Sequence, residues 1–354
     1  MFSFRTTPIG EQLDKALRDG RVGVFSTQNS WDVTADRYLS DLFRERGNLA
    51  ARFVPRETEL TPGTNHIEFD PEQLRGLAAV VVEIQDVGSR YFNYTRDVFH
   101  LMSVLSEMEE APALYIVDHV NPAGRVVEGT IPVVDSDPWT PRVAHRHGLT
   151  LGELCHLYYN EIGARFALHI ISALAGDSNK ILLPWTIAPA SDIPGMFTCL
   201  MYSGGALWNN TTITPAIGTA RPYEYIGAPF VKTADLPTRP SPEGVMLRPC
   251  NFPPSAGRYA GEKCLGFQIM LGPGAEYHSF LHTVLLMRCF RARYSQFEFD
   301  SLFWRKLADP VVEAYLKEEI TFDVVQEHVK LEEQKWIRKA KRYCLYDDAP
   351  YRMK

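Results

Sequence analysis

Two carboxyl groups three residues apart, Glu83 and Asp86, open the run Glu83-Ile-Gln-Asp-Val-Gly-Ser-Arg-Tyr-Phe-Asn-Tyr94, which also carries Gln85, Gly88, Arg90 and Tyr91. Together they supply an acid, a base, a cation and flat rings for a sugar to lie against. Glycosidic hydrolysis needs such a carboxyl pair flanking the scissile bond, about 5–5.5 Å apart for retention and about 6.5–9.5 Å for inversion. The same residues admit a plainer role, Asp86 capping the next helix and pairing with Arg90, because many charged groups near strand ends are structural. His145-Arg-His147 offers two ring nitrogens, but histidines two apart in extended chain make a poor metal pair. No GxGxxG, Walker A, GxSxG or HExxH pattern occurs, so dinucleotide binding, P-loop hydrolysis, nucleophile-elbow esterases and the commonest zinc proteases lose their usual sequence support.

These residues need a scaffold, and the first third of the chain implies one. Arg21–Thr27, Leu49–Val54, Leu77–Ile84 and Ala113–Asp118 read as strands, Val33–Arg46 and Tyr91–Met108 as helices. LAAVVVEI (77–84) is apolar at every position but one, as a strand buried on both faces must be. The alternation predicts a parallel sheet with helices on both sides, and ligand chemistry then gathers at the carboxyl ends of the strands. Gln85, Asp86, Asp118 and Asn121 are expected there, at the mouth of a crevice. Further on, Thr150 with Glu153 forms a capping box for a helix reaching about Asn160. Leu183–Pro254 is rich in Pro, Gly, Asn and Thr and reads as irregular; Cys264–Leu271 reads as a strand. His278–Phe290 and Phe322–Tyr343 read as helices, the latter capped by Thr321.

The chain has 354 residues, 45% apolar and 23% charged, which excludes disorder and suggests two lobes, 1–145 and 146–354, with a cleft between them. Its 37 basic residues are outnumbered by 43 acidic ones, for a net charge of −6, so nucleic acid is not an expected partner. Six scattered cysteines show no CxxC pair. No stretch approaches the roughly 20 apolar residues of a membrane span, and none resembles a leader. A cytoplasmic location is expected for the chain as it stands, an exported one if a leader has been trimmed.

The segments IQDVGSRYFNYT (84–95), DHVNPAGRVVEG (118–129), HGLTLGEL (147–154), LPW (183–185), GTARPYEYIGAPF (218–230) and FPPSAGRYAGEKCLGFQI (252–269), with the closing Trp336 and Arg342–Tyr346, occur in order. Together they resemble the bacterial exo-β-N-acetylmuramidase family of glycoside hydrolases, a former domain of unknown function, over nearly the whole chain. The resemblance implies an α/β fold: a Rossmann-like parallel-sheet lobe that binds no dinucleotide, a second α/β lobe and an intervening cleft. It implies removal of terminal N-acetylmuramic acid from peptidoglycan fragments with no metal and no organic cofactor, so the expected partner is a small amino sugar or muropeptide. Gln85, Asp86, Arg90 and Tyr91 match the family's strand-end motif. Asp118, Asn121 and Pro122 match its Asp-Arg-Pro-Asn-Pro turn, where His119 and Val120 replace Arg and Pro; His147, Gly148, Thr150 and Glu153 match unchanged.

Departures fall on the acid–base set. The family's Ser-Pro-Glu-His-Gly motif meets Val54-Pro-Arg-Glu-Thr58, placing Arg56 on the glutamate unless a one-residue slip brings in Glu57. The second-lobe motif Glu-Gly-Thr-Asn-Leu-Ser-Glu-Gly-Arg-Gly-Thr-Thr meets residues 209–220, where Asn209, Pro215 and Ile217 replace two glutamates and an arginine. Asn can hydrogen-bond but cannot transfer a proton. Glu57, Asp86 and Glu83 are therefore the candidate catalytic residues, and Gln85, Arg90, Tyr91, Asp118, Asn121, His147 and Asn209 the candidate substrate contacts. Three readings stay open: an active muramidase-like glycosidase, a non-catalytic muropeptide binder, and a glycosidase of altered sugar specificity.

Overall fold

Residues 79–82 lie where their composition demands, sealed from water on both faces in the middle of a parallel sheet. The computed structural model describes residues 2–5, 13, 17–32, 36–54, 67–133, 142–173, 187–232 and 242–346. Its strands are β1 (Phe2–Arg5), β2 (Val22–Ser26), β3 (Trp31–Asp32), β4 (Arg37–Tyr38), β5 (Leu49–Phe53), β6 (Ala79–Glu83), β7 (Ala113–Asp118), β8 (Leu168–Ser172), β9 (Tyr225–Ala228), β10 (Val245–Phe252) and β11 (Cys264–Leu271). Its α-helices are α1 (Leu39–Glu45), α2 (Pro71–Leu74), α3 (Asn93–Glu107), α4 (Leu151–Glu161), α5 (Met196–Gly205), α6 (Ser279–Arg293), α7 (Ser301–Leu307), α8 (Pro310–Leu316) and α9 (Phe322–Ala340).

Six strands form one sheet in the order β1-β8-β7-β6-β2-β5, every neighbouring pair parallel. Alternation along the strands divides their side chains between two layers. Val22, Val24, Ala79, Val81, Tyr115 and Val117 pack with Leu39 and Phe43 of α1. Phe25, Val80, Val82, Leu114 and Ile116 pack on the opposite face with α3 and α4. That second core runs on into Trp208, Phe290 and Trp336, so the later half of the chain shares it. The later half adds the antiparallel sheet β10-β11-β9 and helices α5 to α9. The architecture is thus α/β, a Rossmann-like parallel layer joined to a second α/β part. No helix among the described residues is long and apolar enough to cross a membrane.

Several expectations change. The helix expected over Val33–Arg46 starts only at Leu39, because Asp36 turns the chain at φ 53 and Trp31–Asp32 pairs with Arg37–Tyr38 as a short hairpin. The irregular middle contains α5, whose sequence MFTCLMYSGG lacks a polar face because the helix is largely buried. Thr321 stands at the N-cap of α9, but its side chain makes no cap hydrogen bond. β8 lies beyond residue 145 yet pairs with β1 and β7, so a division between 145 and 146 would cut this layer. LPW (183–185) falls outside the described residues, as does residue 57.

Polar groups fasten the halves. Glu128 accepts hydrogen bonds from the Ser279 amide (2.8 Å) and hydroxyl (2.6 Å) at the start of α6 and from Arg146 (2.7 Å). Glu333 of α9 accepts from the Gly129 amide and from His278. Asp118 accepts from Thr150, the Gly152 amide and the Tyr346 hydroxyl. A Cβ on residue 152 would sit 2.5 Å from that carboxylate, which is why glycine stands there.

Burial pushes the Asp118 carboxyl up to about 6 from its ordinary 3.8, against the opposing pull of its hydrogen bonds. The unfolded chain then ionises first as pH rises, so this group's contribution to stability falls between about pH 4 and 6. The loss is on the order of 3 kcal/mol. Asp118→Asn removes the titration, so its stability deficit against wild type should be larger at pH 4 than at pH 7.5 in chemical denaturation. Equal deficits at both values would refute the shift.

Candidate active site

β6 and β7 are parallel neighbours, and Val82 is paired with Ile116. One residue past the last pair, Glu83 continues the face of Ala79 and Val81, and His119 continues that of Tyr115 and Val117. The two side chains meet at the carboxyl edge, Glu83 Oε1 to His119 Nε2 at 3.1 Å, and keep 13% and 26% of their surface exposed. Burial works against charge on His119, but the hydrogen bond and charge of Glu83, with Asp118 behind, outweigh it and raise the imidazole pKa above its ordinary value. The raised pKa widens the pH range over which His119 is charged beside Glu83, with both side chains partly exposed.

The residues expected around it are differently engaged. Asp86 accepts from the Gly88 amide (2.7 Å) and the Thr95 hydroxyl (2.6 Å) and faces His147 Nε2 at 3.4 Å, rather than pairing with Arg90. His147 Nδ1 accepts from the Leu149 amide, which leaves the proton of the neutral ring on Nε2, toward Asp86. Gln85 donates to the carbonyls of Asp86 and Val120. Arg90 spends its guanidinium on the carbonyls of Thr130, Val143, Lys306 and Leu307 and on the Tyr91 hydroxyl, closing the C-terminus of α7. Cations are favoured at that end of a helix. Tyr91 is half-buried, and its hydroxyl reaches the Lys306 carbonyl. Asn121 folds its own turn by accepting from the Ala123 amide and donates to the Leu149 carbonyl. Gly88, at φ 82, leaves only 2.5 Å between a built Cβ and the Asn121 side chain, so this turn needs glycine twice over.

From the second half, Gln28 and Asn29 at the end of β2 donate to the carbonyls of Ala188 and Ile187, the latter at 2.9 Å. Asn209 is exposed and donates to the Tyr223 hydroxyl (3.2 Å), which donates to Asp192 (3.1 Å). Tyr223 is buried with φ 64; a bulky residue held in that region is a strained feature that gathers at ligand sites. The Tyr202 hydroxyl, whose ring packs edge-on with that of Tyr223, donates to the Tyr91 carbonyl. His119 and Tyr223 lie within the quoted motifs but were not among the expected site residues, and Asp192 lies outside those motifs. His119 had one signal, its place directly after the last residue of a strand neighbouring β6; Asp192 had none, because its partners come from distant sequence.

A Glu–His pair at the carboxyl edge of a parallel sheet, with a second α/β part packed against that layer, places the chain among two-part α/β proteins of Rossmann-like topology. Two family models match in order, the N-terminal part of exo-β-N-acetylmuramidase NamZ over residues 63–185 and its C-terminal part over 200–346. The chain belongs to that family. The peptidoglycan β-N-acetylmuramidase NamZ of Bacillus subtilis (strain 168) is 28% identical over 209 residues, 56% of this chain; the match spans half the length of that relative. Crystal structures of two DUF1343 family proteins from Bacteroides fragilis share the fold. One has a TM-score of 0.79 over 96% of this chain and 97% of its own, the other 0.75 over 96% and 98%, both at 19% identity.

Two outcomes test this geometry. Glu83→Gln should lower the titration midpoint of His119, followed through its ring protons by NMR, and an unchanged midpoint would dissolve the pair. Arg90→Ala should cost on the order of 3 kcal/mol in chemical denaturation, since it strands buried carbonyls, and Arg90→Lys should recover little of that because lysine lacks the fork. A loss below about 1 kcal/mol would contradict the structural role.

Proposed function

We propose that this protein is a glycosidase acting on peptidoglycan-derived amino sugars, removing terminal N-acetylmuramic acid, with Glu83 as its working carboxylate. The observation that carries the reading is the half-open Glu83–His119 pair at the carboxyl edge of a chain matched by both halves of the muramidase family. Hydrogen-bonded to His119, the Glu83 carboxyl is placed to act as a base toward water or as a nucleophile rather than as the proton donor. Glu57 is then the candidate acid. Asp86, Gln85, Arg90, Asp118, Asn121 and His147 act through architecture, holding the strand ends that present Glu83 and His119.

A second reading, a muropeptide binder without turnover, is favoured by one observation: exposed Asn209 stands where the family resemblance calls for a glutamate. Altered sugar preference follows from the same motif, since buried Ile217 occupies the place of its arginine.

Hydrolysis of 4-nitrophenyl β-N-acetylmuramide and β-N-acetylglucosaminide separates these readings. Wild type should turn over the muramide, and Glu83→Gln should lower kcat by on the order of 10²–10⁴ with little change in KM. Glu57→Gln should do likewise if it is the acid. Binding of muropeptide by calorimetry without turnover of either glycoside would establish the second reading, and preference for the glucosaminide the third. A rate indifferent to Glu83→Gln would remove Glu83 from the mechanism.

A further inference from the structure

Trp31 and Tyr38 belong to neither apolar core. They face each other across the β3–β4 hairpin, with ring centroids 4.8 Å apart and planes at 74°. Tyr38 is 39% exposed and Trp31 half-buried. Large aromatic rings are normally consumed by a core; this pair sits outside the cores on a hairpin with only two residues per strand.

Its position ties it to the candidate site. Ser26 pairs with Glu83 in the sheet register, and the Thr27 amide donates to the Glu83 carbonyl (3.4 Å). The 3-10 turn Gln28–Ser30 follows, fixed by the Ser30 hydroxyl on the Thr27 carbonyl (2.9 Å) and by Asn29 on the Ile187 carbonyl. The Trp31 amide closes that turn on the Gln28 carbonyl. On the other strand Tyr38 stands at the N-cap of α1, its amide held by Asp41 (3.1 Å). Both rings therefore project from backbone fixed beside the strand end that bears Glu83, so little ordering cost remains for a ligand to meet.

Pyranose rings have an apolar face of C–H groups and an equatorial rim of hydroxyls. An exposed aromatic face takes up the first by dispersion and area burial while leaving the rim in water. We infer that Trp31 and Tyr38 form a further saccharide subsite on the leaving-group side, stacking a sugar beyond the one that carries the scissile oxygen, in a glycan longer than a disaccharide. The inference rests on the amino-sugar reading above and deepens it from a single sugar to a glycan chain.

Calorimetry in the Glu83→Gln background, which holds the glycan intact, tests it with a disaccharide and a tetrasaccharide of alternating N-acetylglucosamine and N-acetylmuramic acid. The tetrasaccharide should bind more tightly, and Trp31→Ala should reduce the tetrasaccharide-to-disaccharide affinity ratio roughly tenfold. Trp31→Phe, which keeps a ring, should retain most of the ratio, and Tyr38→Ala should lower it in the same direction. A ratio unmoved by Trp31→Ala, or lowered as much by Trp31→Phe, would overturn the subsite while leaving the amino-sugar reading intact. Binding of neither glycan by the parent chain would overturn that reading itself.

Discussion

The halves of this molecule are held in register by the buried side chain of Glu128. One oxygen meets Arg146 of the first layer, and the other receives the amide and hydroxyl of Ser279, where α6 begins. Removing a carboxylate from water costs several kcal/mol, which only a complete set of charge-assisted bonds at a helix N-terminus can offset. That requirement fixes the approach of α6 to the strand-end loops. The next residue, Gly129, extends the clamp to Glu333 of α9, and Trp336 one turn further donates to the His147 carbonyl. A residue at position 129 other than glycine would press a Cβ to 2.8 Å from the His145 ring.

Much of what resembles an active centre is consumed by this joint. Arg90 closes α7, Asp86 and Asn121 shape the turns beside it, and Asp118 gathers α4 and the chain's closing Tyr346. Buried polar groups must find partners or lose more than they contribute, and here the partners are other parts of the protein. Glu83 and His119 are left partly exposed by this joint: Glu83 is the last residue of β6, past its final pair with β7, and His119 directly follows β7.

The replacement of a motif arginine by His119 changes the character of that pair. Arginine keeps its charge across the accessible range, whereas histidine does not. Glu83 raises the pKa of His119, and the benefit of their attraction is complete below the ordinary histidine pKa and is lost as pH rises through the raised one.

Sequence alone determined the layer. β-branched runs at 79–83 and 113–118 and the Thr150–Glu153 box encode local structure through short-range sterics and capping, so β2, β5, β6, β7 and their parallel sheet were legible, as was the family through ordered motifs. The strands β1 and β8 and the helix α5 were not, the helix because a largely buried segment carries no clear polar period. Nor could sequence divide partly exposed acids from acids enclosed by hydrogen bonds. Asp86 and Glu83 sit three residues apart with equal chemistry, and what separates them is whether His147 and Thr95, or His119 and solvent, stand opposite. Those partners arrive from residues 9 to 61 positions away, and only the folded sheet brings them together.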